Sequence, residues 1–77
     1  MTRQADASDR FYAGERGQEL RFVINDAVRV TTGPSSGRTG SVVSLGALDP
    51  EPRFVVEPGT PPYGDFEVLQ SQLELIG

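Results

Sequence analysis

The chain has no cysteine, histidine, lysine or tryptophan. Without cysteine there is no disulfide to staple a small core and no thiolate to attack a substrate or hold a metal. Without histidine, neither an imidazole-based triad nor an imidazole metal ligand can be assembled. Carboxylates at Glu57, Asp65 and Glu67 fall on the solvent side of alternating stretches, and no D-x-D-x-D-G loop spacing occurs. The chain is therefore expected not to be an enzyme and to hold neither cofactor nor metal. Long apolar runs are also missing: no stretch approaches the ~20 residues of a membrane span. The opening MTRQADASDRFYAGERGQEL has no apolar segment and carries four acids. Neither a secretory signal nor a transit peptide is expected there, and the protein is expected in the cytoplasm without membrane contact.

What charge there is lies unevenly. Seven arginines face eleven acids, for a net charge of −4. Residues 1–24 balance, residues 25–45 carry a small excess of arginine, and residues 46–77 hold Arg53 against Asp49, Glu51, Glu57, Asp65, Glu67 and Glu74. An acidic chain repels phosphate backbones unless its few cations are clustered.

The first part of the chain shows neither helical nor strand periodicity. Residues 1–20 are expected to form a flexible tail, with Arg3, Arg10 and Arg16 available to order on a partner; docking of Phe11 and Tyr12 onto the following domain is the competing expectation. From Leu20 the pattern changes to period two. Strands are predicted over residues 27–31, 39–45, 53–57, 65–69 and 73–76, after a turn at Asn25-Asp26. Gly46 to Pro52 reads as a loop. Pro58-Gly59 suits the centre of a type II turn, and PGTPPYGD, with three prolines, is not expected to be regular structure. Ser71-Gln72 reads as one 3₁₀ turn. Five short strands with frequent turns and no longer helix describe a small all-β, five-stranded barrel over residues 21–77, whose closure removes the sheet edges. The expected core is Phe22, Val28, Val30, Val42, Phe54, Val56, Phe66, Val68, Leu73 and Leu75.

The glycine loop between the first two strands decides little by itself. Gly33-Pro34-Ser35-Ser36-Gly37-Arg38-Thr39 has one residue too few between its glycines for a Walker phosphate loop, an arginine in place of the lysine, and a strand instead of a helix after it. Asn25-Asp26-Ala27-Val28-Arg29-Val30 followed by Gly33-Pro34, Gly37, Gly40 and Val42 instead resembles the KOW motif of SH3-like barrels, found in bacterial transcription elongation factors and in ribosomal proteins. Phe22 ahead of the turn and the closing Phe66-Glu67-Val68-Leu69 with Gln72-Leu73-Glu74 extend the similarity to most of residues 22–76. The resemblance implies an SH3-like barrel and, in some relatives, RNA or ribonucleoprotein binding. In it, Gly33, Pro34, Gly37 and Gly40 are structural turn residues.

Two functional readings follow. In one, the chain is a non-enzymatic SH3-like binding module, a small accessory or adaptor protein that contacts a protein partner; the peripheral barrel subunit of photosystem I is similar in size and strand pattern. Its supports are the acidic surface and Tyr63 behind Pro61-Pro62, either presented as a contact aromatic or folded over the barrel mouth. In the other, the chain is a KOW-type RNA-binding or ribosome- or RNA-polymerase-associated protein. It would use Ser35, Ser36, Arg38 and Thr39 at the loop tip, with Arg29 and Arg53, on strands read as neighbours, extending a basic strip; pairing of Arg53 with a nearby acid is the competing expectation. Ser35 stands where such loops carry a bulky residue, and no aromatic stacking platform interleaves the basic positions.

Overall fold

The computed structural model describes residues 3–76, with side chains from residue 7 onward. Five strands follow one helix: α1 (Arg3–Ala13), β1 (Ala27–Val30), β2 (Thr39–Ala47), β3 (Arg53–Pro58), β4 (Phe66–Leu69) and, after a 3₁₀ turn at Gln70–Gln72, β5 (Leu73–Leu75). All pairings are antiparallel, and the sheet order is β4-β3-β2-β1-β5. The last strand thus returns beside the first, and only three residues separate the two edge strands. The sheet must curl to bring β4 and β5 that close at one end. No ladder joins them, so closure into a complete barrel is not reached and both strands keep an open edge.

Curvature comes from β2. Its pairing with β3 slips between Val42 and Ser44 and again between Leu45 and Ala47. Each slip is an extra residue in one strand, which bends the strand and increases its twist. The second slip takes Gly46 and Ala47 into the strand, longer than the sequence pattern indicated. β3 likewise runs one residue further and ends on a buried Pro58. Gly59 does not take up the positive φ that a type II turn requires.

The alternating residues sort as expected on most strands. Val28, Val30, Val42, Phe54, Val56, Val68 and Leu73 are buried with Phe22. Two of the expected core residues are not. Phe66 packs against the core but stays half-buried, with the Arg38 guanidinium over its ring, and Leu75 is 49% exposed because the edge beside it is open.

The N-terminal expectation of a flexible tail is corrected. Residues 3–13 are helical, with Phe11 wholly buried in the core. The segment holds three alanines and two arginines, both good helix formers. Its end is well made. Gly14 sits at φ +80, its N–H donates to the Phe11 carbonyl (3.2 Å), and the Glu15 N–H donates to the Arg10 carbonyl (2.8 Å). This is a Schellman stop, for which a left-handed glycine is preferred. Phe11 then stacks on Phe54, with centroids 5.9 Å apart, while Phe22 meets Phe54 edge-on at 5.8 Å. The Phe11 carbonyl also accepts the Ile24 N–H at 3.3 Å, so helix and sheet are joined by backbone as well as by packing.

Two polar clasps hold the connection between helix and sheet. The buried Asp26 carboxylate accepts the Val23 N–H at 2.8 Å and pairs with Arg16. Its backbone also bonds β2, through Val42 N–H to the Asp26 carbonyl at 2.9 Å. At the opposite end, the buried Gln70 side chain accepts the Arg21 N–H at 2.7 Å and donates to the Glu19 carbonyl at 3.3 Å. Residues 19–21 are thereby pinned beside the turn that links β4 to β5. Among the described residues no helix is long and apolar enough to cross a membrane.

Removing Phe11 tests this arrangement. Phe11→Ala leaves an aromatic-sized void that the sheet cannot fill and is expected to cost about 3 kcal/mol or more. Urea unfolding followed by near-ultraviolet circular dichroism gives the value; a loss below about 1 kcal/mol would mean that the helix merely rests on the surface.

Candidate functional site

The glycine loop is built as a support. The Ser36 N–H donates to the Gly33 carbonyl (3.1 Å) and the Arg38 N–H to the Ser35 carbonyl (3.1 Å), making two successive turns. Pro34 supplies the fixed φ of the first turn, and Gly37, at φ +92, supplies the left-handed position of the second. The Gly37 N–H reaches the Val30 carbonyl and the Val30 N–H reaches the Arg38 carbonyl, both at 2.8 Å, so the loop base continues the β1–β2 ladder. The Ser36 hydroxyl donates to the Thr31 carbonyl at 3.2 Å. Several donors that would have faced a phosphate are therefore already in use.

Two other glycines are steric requirements. A Cβ on Gly33, itself at φ +89, would stand 2.5 Å from the Gln72 side-chain nitrogen. That side chain is fixed, because its oxygen accepts the Leu69 N–H at 3.0 Å. A Cβ on Gly40 would run into the Glu57 carbonyl and lie 2.8 Å from Val56 Cγ1. Here β2 approaches β3 too closely for any side chain.

The three candidate arginines do not form one strip. Arg29 lies on β1 and Arg53 on β3, with β2 between them, so the expectation that their strands are neighbours is corrected. Each also has a carboxylate partner. Arg29 sits opposite Glu74 in the β1–β5 register and binds it at 2.7 Å through Nε and Nη2. Arg53 faces Glu67 at 3.9 Å. Both pairs are solvent-exposed and contribute little to stability. They matter because they reduce the positive potential on these faces.

Arg38 has a different occupation. Its guanidinium lies 4.2 Å from the centroid of the Phe66 ring and donates to the Pro62 carbonyl at 2.8 Å. One side chain therefore joins the glycine loop, strand β4 and the proline loop. Thr39, half-buried at the start of β2, adds a second tie through its carbonyl to the Gly59 N–H at 3.1 Å. Beyond these anchors Tyr63 is 66% exposed, so it presents its ring instead of covering an end of the core. Ser35 is half-buried and Ser36 exposed on the facing loop. The sequence signalled each loop; it did not signal that Arg38 couples them.

The broad groove of the molecule, about 810 Å³, opens between α1, the segment after it and the loop between β2 and β3. Its wall carries Glu15, Glu19, Asp49 and Glu51 against Arg10, an electrostatic environment hostile to a phosphate chain. No protein-family model matches the chain, and no curated protein matches it.

Loss of the Arg38 tie should free the proline loop without unfolding the domain. Arg38→Ala is expected to cost about 1 kcal/mol, the worth of an exposed cation–π contact with one hydrogen bond. In ¹⁵N relaxation, order parameters over residues 59–65 should fall from roughly 0.85 toward 0.6 or below. An unchanged loop would show that the prolines alone hold it.

Proposed function

We propose that this chain is a non-enzymatic SH3-like binding module, a small cytoplasmic accessory or adaptor protein that contacts a protein complex through the face formed by residues 59–65 and the tip of the glycine loop. The observation that carries the reading is the use of Arg38: it is committed to Pro62 and Phe66, and in that position it braces a loop that holds Tyr63 66% exposed. A large amphipathic side chain on a stiffened loop loses little entropy on docking, which suits it to anchor an interface. The KOW-like spacing supports an SH3-like module in this reading. So does the strand order, in which a four-strand meander ends with the fifth strand beside the first. The glycines of the motif then act as architecture.

The alternative, a KOW-type RNA-binding or ribosome- or RNA-polymerase-associated protein, draws on the motif itself. It would require Arg29, Arg38 and Arg53 to leave Glu74, Phe66 and Glu67 for phosphates. A fold resemblance alone is a weak warrant for such a function.

An amide-shift titration with a mixed-sequence RNA oligomer at low salt separates the two. The protein-binding reading predicts no shifts over Gly33–Gly40 or at Arg29 and Arg53. Shifts there that fade with salt, with a log–log slope of roughly −2 to −3 for three phosphate contacts, would overturn it. For a protein partner isolated by cross-linking at the loop, Tyr63→Ala should weaken binding by about tenfold or more, with little dependence on salt.

A further inference from the structure

We infer that the open edge of β5 is a second docking surface, which takes an extended peptide carrying an apolar and an acidic side chain on the same face. It is separate from the Tyr63 surface and does not rest on it. The backbone supplies the first reason. Ile76 N–H bonds the Ala27 carbonyl at 3.0 Å and Thr31 N–H bonds the Gln72 carbonyl at 2.7 Å, in a register that pairs Val28 with Leu75 and Val30 with Leu73. In an antiparallel ladder the bonded pairs alternate, so the backbone groups of Leu73 and Leu75 turn away from β1. The Leu73 N–H folds back to the Gln70 carbonyl. The Leu73 carbonyl and the Leu75 N–H and carbonyl remain directed to the open side, where a sixth strand would bond them.

Side chains beside this edge specify what that strand would carry. A shallow depression of about 290 Å³ is lined by Arg21, Phe22, Leu73, Glu74 and Leu75. Phe22 and Leu73 are buried and form its apolar base, while Leu75 stands half out of it. Glu74 is already held by Arg29, but among the described residues Arg21 has no carboxylate partner; its guanidinium lies 5.9 Å from the Phe22 ring centroid. An apolar side chain entering the depression, with a carboxylate two residues along the same face, would meet both features. Nucleic acid offers neither the strand edge nor the apolar group.

The probe is the acetylated, amidated pentapeptide Thr-Val-Thr-Glu-Thr, added to the ¹⁵N-labelled full chain up to millimolar concentration. Amide shifts are expected at Arg21, Phe22 and Leu73 to Ile76. They should weaken by about fivefold in the exposed, edge-lying Arg21→Glu variant, and likewise with a peptide bearing lysine in place of glutamate. Methylating every peptide amide should abolish them, a change that leaves the protein's own fold untouched. Absence of shifts at β5, or shifts indifferent to Arg21→Glu and to N-methylation, would overturn the proposal. So would concentration-dependent shifts at β5 without peptide, because they would assign the edge to a second copy of this chain.

Discussion

The stack of Phe11 on Phe54 is the contact on which the rest of the fold depends. A curled five-stranded sheet of this length has room inside for few large side chains, and a chain of about this size buries only about 60% of its unfolded surface. The valines of β1, β2 and β3 line the core but do not fill it. Phe11, supplied from outside the sheet, completes the filling together with Phe22 and Phe54. Its carbonyl then bonds Ile24, and the chain that follows is pinned by Arg16 on Asp26 and by Gln70 on Glu19 and Arg21.

The same economy shapes the surface. Six acids and one arginine after residue 45 would leave the outer faces strongly negative, and Arg16, Arg29, Arg38 and Arg53 are each set against a partner within the protein. Arg29 and Arg53 meet acids across the sheet. Arg38 holds two loops together and lets Tyr63 project. The glycine loop, through Arg38, thereby braces the neighbouring proline loop.

Much of the sheet was legible because period-two alternation is local. Val28, Val30, Val42, Val56 and Val68 announce their burial within a few residues of chain. The helix was not legible by that route, because one buried aromatic in an otherwise polar segment produces no periodicity. Its composition and the Gly14 stop were the available signal. Leu75 and Phe66 departed from the pattern for reasons that lie elsewhere in the chain: an edge left open beside one, and a guanidinium from another loop against the other. The candidate loops could be read from their prolines and glycines. The partners of Arg29, Arg38 and Arg53 could not, since strand order decides which acids and rings they meet.

Native-state amide hydrogen exchange tests the central claim most directly, that the helix is part of the core's cooperative unit. If seating Phe11 completes the core, the protected amides near the end of α1 and the Ile24 amide should exchange only through global unfolding, with the same opening free energy as Val42 and Phe54. Exchange of those amides through an opening lower by about 2 kcal/mol or more, while the sheet stays protected, would contradict it.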